Sequence, residues 1–489
     1  MPHDEDILAS VMDTIRPGLS QNLTDYEKPC ETQPAQTPLK TGIIRTLIAE
    51  LLQKMKTPEL MFFGQQWYMH QAAQGWVAAE SKTVEAYVAR YLLACEKIDF
   101  TQKTVADILA GLRGVLHVPN TGEYFAYFIR RDETGGIRQL EPADGWLPSE
   151  NSLVHIPTGE TRPFTTELFT PGRVPCVYDP AAQCPRWLQF LSEVAPEEIE
   201  NLQMLAGLSL TYDRRYNVFF VLHGEGGTGK STFLNVLQTL NAGAFCNISL
   251  SDFGERFQYY DLTTRRANIV HDMDSIYDTG NVSLRESRLK SACCGEGIHA
   301  ERKNEQGGTR RAIALNLFAC NNFPRFSDRS TAIPSRMRVI GFHRPFRDTA
   351  AQDHNLFEKL LKELPGIFRW AVIGYQKLIH SGAKTFPESE SSREMKASHM
   401  KKSRPEVEFL EEFTSRDETM QWQPSLEIYT AYKNFCLARG YKPMNQSGFN
   451  AALENHHAIP PPVQKQHASK RCKIYTGVRL LKSDEDGEF

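Results

Sequence analysis

The chain has 489 residues, 41% of them hydrophobic, which at roughly 150 residues per domain is the length of about three domains. Its 56 basic and 59 acidic residues leave a formal charge of −3, which excludes a uniformly basic nucleic-acid coat; any nucleic-acid contact must come from local patches. The 10 cysteines form no paired CxxC and no Cys/His cluster at zinc spacing, and adjacent Cys293 and Cys294 are poorly placed for a bridge, so reduced thiols are expected. No signal-peptide pattern opens the chain and no apolar run approaches the ~18 residues that span a bilayer, so a cytoplasmic protein with no membrane partner is expected.

Residues 1–40 are polar and proline-containing and read as a flexible segment. From Thr41 the spacing of "IIRTLIAELLQKM" is helical, and residues 41–195 mix helices with short strands as an α+β domain. The prolines of "LVHIPTGETRPFTTELFTPGRVPCVYDP" exclude a long regular element there. Trp67, Trp76 and Trp187 are expected in the core rather than on a base-stacking platform. "APEEIENLQMLAGLSLTYD" reads as a helix leading into a strand, and residues 196–385 then alternate strands and helices, the pattern of an α/β domain. Residues 386–406 are charged without an apolar stripe and read as a linker, 407–480 as a last compact unit, and 481–489 as an acidic tail.

The stretch "YNVFFVLHGEGGTGKS" carries the chemistry. Gly224, Glu225, Gly226, Gly227, Thr228, Gly229, Lys230 and Ser231 fit GxxxxGK[ST], with an apolar strand before and the helix "STFLNVLQTL", which includes Thr232, after. Glycines permit backbone conformations that let successive N–H groups converge on phosphate oxygens, and the helix N-terminus adds its partial positive charge. Lys230 is expected to reach the β- and γ-phosphates of ATP, and the Ser231 hydroxyl to ligate Mg2+. "RRANIVHDMDS" offers an acidic strand end: Asp272 and Asp274, two apart, share a side if the strand persists, one toward the metal and one toward the attacking water. "LFACNNFPRFSD" runs a strand into Asn321, whose neutral amide can orient a water beside the γ-phosphate. "STAIPSRMRVIGF" places Arg336 and Arg338 on one face of an expected strand, where a guanidinium can stabilise charge on a transferring phosphoryl group.

In this order the motifs resemble superfamily 3 helicases, and more narrowly the phage, plasmid and poxvirus primase-helicase group. Matching passages include "RLKSACCGEGIHAERKN", "NNFPRFSDRSTAIPSRMRVIGF" and "IYTAYKNFCLARGYKPMNQSGFNAAL", and the likeness covers roughly residues 60–480. It implies an AAA+-type P-loop ATPase core between an N-terminal α+β collar and a C-terminal winged-helix domain. It further implies a homo-hexameric ring that hydrolyses ATP, moves along single-stranded DNA and unwinds forked duplex, here for a phage, prophage or plasmid in a bacterial cytoplasm. In that resemblance Asp272 is the metal-side acid, Asn321 the γ-phosphate sensor and Arg336 a finger acting in trans. The family often carries Glu at the acidic strand end where this chain has Asp272 and Asp274, and no primase module is recognisable upstream, so a separate primase is an expected partner.

"GIHAERKNEQGGTRRAIAL" reads as a β-hairpin presenting His299, Arg302, Lys303, Arg310 and Arg311 to DNA, with His299 and Lys303 the preferred contacts. In 407–480 two helices and a basic wing with Lys465, Lys470, Arg471 and Lys473 suit duplex contact, although docking of a protein fits the same pattern; Tyr429, Tyr432 and Phe435 are expected in that unit's core. Two other function classes stay open: a nucleotide-switched DNA-binding initiator, loader or defence ATPase, and a small-molecule P-loop kinase, against which the basic hairpin and trailing unit argue.

Overall fold

The computed structural model describes residues 41–54, 60–94, 100–118, 125–133, 136–255, 257–273, 282–301, 307–323, 326, 332–346, 353–402, 405–416, 423–439, 441, 443–457, 459–467 and 470–481. The expected flexible segment 1–40 and residues 482–489 of the acidic tail lie outside them. The chain is mixed α/β with several sheets and divides into two compact units after Ser392.

The first unit opens with helix α1 (Thr41–Lys54), strands β1 (Leu60–Phe63), β2 (Gln66–Gln71) and β3 (Gly75–Ala79), helices α2 (Ser81–Leu93) and α3 (Gln102–Val115), and strand β4 (His117–Val118). The α3 helix starts on a reciprocal cap: the Thr104 amide donates to Thr101 Oγ1 at 3.3 Å and the Thr101 amide to Thr104 Oγ1 at 3.2 Å. The sheet order is β3-β2-β1-β4, and the helices cover it through Leu47, Leu51, Val88 and Leu112 packed with Leu60 and Trp67. Trp67 and Trp76 are buried here, as their apolar bulk dictates. Two small antiparallel sheets follow: β10 (Leu168–Phe169) beside β5 (Tyr127–Arg131) and β6 (Ile137–Pro142), and β7 (Trp146–Pro148), β8 (Ser152–His155) and β9 (Thr161–Pro163) in sequence. The proline-rich passage thus holds short strands only, because proline cannot donate to a ladder.

Helices α4 (Pro185–Val194) and α5 (Ile199–Ser209) lead into strand β11 (Phe219–His223), helix α6 (Lys230–Leu240), and strands β12 (Phe245–Cys246) and β13 (Ala267–Val270). Helix α7 (Val282–Cys294), the hairpin β14 (Gly297–Ala300) and β15 (Gly308–Arg311), strand β16 (Leu315–Cys320), helix α8 (Ala332–Arg336) and strand β17 (Met337–Gly341) complete the α/β part. Five strands form one parallel sheet in the order β12-β13-β16-β11-β17. They are apolar almost throughout because both faces are covered, as parallel sheets require. Helices α9 (Leu356–Lys362) and α10 (Leu364–His380) close the unit, α10 lying against α5.

One core runs from Leu147 and Val154 through Trp187, Leu205, Phe220 and Leu237 to Ile367 and Phe386. Much of 147–195, grouped with the collar on sequence, therefore shares a core with the parallel sheet, while Leu153 and Leu168 lie in a separate cluster and Phe169 packs with Phe63 and Trp76 of the collar. The physical reason is the apolar face of α4, where the Trp187 ring stacks on Phe233 of α6 at 5.6 Å. The expected linker 386–406 also departs from its sequence reading, since Glu390–Lys402 is helix α11. Its start is anchored by polar rather than apolar contacts: buried Ser392 donates through Oγ to Glu198 Oε1 at 2.6 Å. A periodicity search for an apolar stripe passes over such an anchor.

The second unit contains α12 (Pro405–Phe413), β18 (Thr414–Arg416), β19 (Gln423–Pro424), α13 (Ser425–Ala438), α14 (Gln446–His457), β20 (Val463–His467), β21 (Lys470–Tyr475) and β22 (Val478–Leu480). Its sheets are β19-β21-β20 and β18-β22. Phe409, Tyr432, Phe435, Phe449 and Tyr475 fill its core, with the Tyr432 and Phe449 rings stacked at 4.3 Å. Tyr429 packs at the edge of that core and donates its hydroxyl to the Met444 carbonyl at 2.8 Å.

Candidate nucleotide site

The site is built where three neighbouring parallel strands end at one level: His223 of β11 pairs with Cys320 of β16 on one side and Gly341 of β17 on the other. Crevices at the carboxyl ends of parallel strands are where α/β sheets take ligands. The Gly224 amide donates to the Cys320 carbonyl at 3.3 Å and the Phe342 amide to the His223 carbonyl at 2.8 Å, so all three loops leave the sheet locked together. A Cβ on Gly224 would lie 2.1 Å from the Phe342 carbonyl oxygen, which explains glycine there. Gly229 caps α6 with φ +92°, a conformation that side chains disfavour, and a Cβ on it would also press on Phe190.

Lys230 opens α6 and folds back over the loop. Its Nζ donates to the carbonyls of Gly224 at 2.6 Å and Glu225 at 2.8 Å, and to Asn321 Oδ1 at 3.0 Å. Burial lowers its pKa from the ordinary value, with Cys320 and Asp272 acting the other way. Thr228 is buried and donates its hydroxyl to the Glu225 carbonyl at 2.9 Å, tightening the loop. Ser231 is exposed and Thr232 half-buried in the first turn of α6, where a helix offers unpaired N–H groups. Glu225 and Gly226 form the exposed crest, and the Phe346 amide donates to the Gly227 carbonyl at 2.9 Å, strapping the loop from the β17 side.

The acidic strand end differs in detail from its sequence reading. Strand β13 stops at Val270, and the Met273 amide then donates to the Ala319 carbonyl at 2.8 Å, holding the bend along β16. Asp272 is exposed on that bend, near enough to act electrostatically on Lys230 and Cys320. The strand therefore does not persist to position 274, and Asp274 lies outside the described residues. The structure brings Lys230 and Asn321 into direct contact and sets Asp272 beside them.

The two arginines part company, and neither shares a strand face with the other. Arg336 ends helix α8, half-buried, with Nη1 on the Ala332 carbonyl at 2.7 Å and Nε on Cys294 Sγ at 3.1 Å. Arg338 lies within β17, buried, with Nε on the Phe386 carbonyl at 3.0 Å, Nη1 on the Ser335 carbonyl at 2.8 Å and Glu388 at 3.9 Å. Burial lowers its pKa, with Glu388 opposing. A strand reading of "SRMRV" fails at Arg336 because the chain is still helical there.

The expected hairpin is present, with His299 opposite Thr309 and Gly297 opposite Arg311. Strand alternation turns Ile298 and Ala300 inward and leaves His299 and Arg311 exposed. Arg310 is half-buried, with its guanidinium 5.5 Å from the Tyr260 ring centre. Arg302 and Lys303 lie outside the described residues. In the second unit Lys465, Arg471 and Lys473 are exposed on β20 and β21, and Lys470 is the first residue of β21.

Sequence reasoning passed over His223 and Phe323. Their rings stack at 4.1 Å with planes 16° apart, His223 closing β11 and Phe323 lying two residues beyond Asn321. The available signal was the lone histidine closing an otherwise apolar strand just before the glycine loop.

Residues 222–336 match a family of unknown function, DUF5906, and residues 405–476 match the poxvirus D5 protein-like family. The comparison with curated proteins gives no match. Among solved structures, the A form apo structure of the NrS-1 C-terminal region is 12% identical and covers 88% of this chain and 98% of its own, at a TM-score of 0.46. The apo structure of NrS-1 residues 305–718 aligns to the same extent, with a TM-score of 0.46 at 12% identity. Alignments this loose carry no argument about the fold.

Among the described residues no three or more His, Cys, Asp or Glu side chains are gathered to hold a metal by themselves. Ser231, exposed in the first turn of α6, and Asp272, whose charge reaches Lys230, are the side chains that could hold a magnesium ion arriving with a nucleotide.

Proposed function

We propose that the chain is an ATP-dependent DNA helicase motor of superfamily 3, serving replication of a phage, prophage or plasmid. The observation that carries the reading is Lys230 Nζ, held between the loop carbonyls of Gly224 and Glu225 and the amide of Asn321 at the carboxyl edge of a parallel sheet. A buried ammonium whose hydrogen-bond acceptors among the described residues are all neutral is poised to exchange them for phosphate oxygens. The match of residues 405–476 to a poxvirus D5 protein-like family supports the primase-helicase side of the reading.

In this reading the amides of Gly226–Lys230 and the α6 N-terminus hold the phosphates. Ser231 and Asp272 would hold Mg2+, which would supply positive charge against the bound phosphates. Asn321 orients water, Asp272 or Asp274 polarises it, and Arg336 of a neighbouring subunit faces the γ-phosphate. Nucleotide between subunits implies a homo-hexameric ring with an AAA+-type core. His299, Arg302, Lys303 and Arg311 of the hairpin then track single-stranded DNA, and the last unit, as a winged helix, offers Lys470, Arg471 and Lys473 to duplex. A separate primase supplies primers. The place of action is the bacterial cytoplasm; among the described residues no helix is long and apolar enough to cross a membrane.

The test is ATP hydrolysis with and without single-stranded DNA, beside strand displacement on a forked duplex. Stimulated hydrolysis with displacement supports the helicase. Stimulated hydrolysis without displacement moves the assignment to a nucleotide-switched initiator, loader or defence ATPase. No hydrolysis in either condition overturns the motor reading.

A further inference from the structure

The sensing amide raises a problem of precision. Asn321 is exposed on a turn that has just left β16, and its Oδ1 must stay within hydrogen-bond reach of Lys230 to report on a phosphate. An exposed side chain on a short turn keeps several rotamers unless something fixes the backbone beneath it. The Gly224 amide holds the Cys320 carbonyl on the sheet side. On the far side the turn is held where the Phe323 ring lies on the His223 ring at 4.1 Å, nearly parallel.

His223 is well placed to be that anvil. It is half-buried at the end of β11, level with Cys320 and Gly341, and one residue before the glycine loop. Burial lowers its pKa from the ordinary 6.5, and Lys230 and His343 lower it further, while a backbone hydrogen bond with Asn321 opposes them. Those influences locate the ring between the phosphate loop, the Asn321 turn and the loop after β17.

We propose that His223 and Phe323 are a positioning pair, whose stacked rings fix the Asn321 turn against Lys230 so that the amide meets the γ-phosphate in register. The inference rests on the ATPase reading above. Its consequence is a defect in turnover rather than in nucleotide binding, because ground-state phosphate contacts come from the loop amides and Lys230, and the pair acts on the Asn321 turn.

The test is steady-state ATP hydrolysis of the full chain with four changes. Phe323→Ala and His223→Ala are expected to lower kcat about tenfold with KM for ATP within about twofold. His223→Phe, which keeps the stacked ring but loses the ring's hydrogen bond with the Asn321 backbone, is expected to regain part of the kcat lost in His223→Ala. The deciding comparison is a cycle with Asn321→Ala: if Phe323 acts through Asn321, adding Phe323→Ala to Asn321→Ala lowers kcat no further. Independent losses that multiply, or a Phe323→Ala enzyme with full kcat, overturn the pair. Should His223→Ala not fold, Phe323→Leu on the half-buried turn carries the same cycle. A wild-type chain without ATPase activity would sink the ATPase reading itself, whereas an active wild type with additive losses sinks only this inference.

Discussion

The phosphate loop and the arginine pair are both read from the sequence as motifs, and the fold treats them in opposite ways. The loop's demands are largely local: positive φ at Gly229 and a lysine that opens a helix, although the atom a Cβ on Gly224 would strike is the carbonyl oxygen of Phe342, far along the chain. Both local demands are met within the same eight residues, and the strand and helix around them needed only apolar patterning. The arginines are two residues apart, yet Arg336 ends a helix half-buried against Cys294 while Arg338 is buried in a strand against the Phe386 carbonyl and Glu388. A long flexible side chain takes its role from whatever the tertiary structure places within reach, and spacing alone says little about it.

The sharpest way to break this comparison is at Lys230. Lys230→Ala is expected to reduce ATP hydrolysis at least about a hundredfold, with cooperative melting retained, since the side chain's partners are loop carbonyls and one amide rather than the core. Steady-state turnover and a thermal melt check both halves.

Arg336→Ala is expected to spare nucleotide binding and cut turnover about a hundredfold or more. Mixing Arg336→Ala with Lys230→Ala chains should restore part of the activity, because an intact loop of one subunit then meets an intact arginine of another. Mixtures that stay inactive in every proportion would remove the in-trans role.

Arg338→Ala should do the reverse. Loss of a buried guanidinium that satisfies the Phe386 and Ser335 carbonyls is expected to cost about 2–3 kcal/mol in denaturant unfolding, while turnover per folded molecule changes little. If Arg338→Ala kept its stability and lost turnover instead, the division between the two arginines would fail.

A smaller effect comes from pH. Burial lowers the pKa of His70, His155 and His223 below the ordinary 6.5, with Arg173 adding to it at His70. The folded state then holds these rings neutral while the unfolded chain binds protons first, so their contribution is complete above about pH 6.5 and is lost as pH falls through the depressed values. Denaturant midpoints of the first unit measured between pH 8 and pH 5 should fall on the acid side. A midpoint that rises on acidification would contradict these burial assignments.

The hairpin gives the smallest expected change. Arg311→Ala, exposed, should weaken single-stranded DNA binding and reduce its salt slope by about one. Arg310→Ala should alter the slope less, because its guanidinium lies toward the Tyr260 ring. Equal effects at the two positions would mean that the alternation of the hairpin does not persist on DNA.

The sequence by itself determined the loop, its strand and helix, the hairpin, the amide at the end of β16, and the burial of Trp67, Trp76 and Trp187. Each rests on a requirement carried by neighbouring residues: a glycine-rich turn between an apolar strand and a helix, an alternating pattern, or too much apolar surface to leave in water. Only the tertiary structure decided that helix α4 and parts of 147–178 share the core of the parallel sheet, since the stacking of Trp187 on Phe233 joins positions far apart in the chain. It alone ended β13 at Val270 through a hydrogen bond to Ala319, replaced an expected linker with a helix anchored by Glu198, separated Arg336 from Arg338, and set Phe323 on His223. Those outcomes depend on which elements lie side by side, and for parallel strands joined by crossovers that pairing brings together residues far apart in the chain.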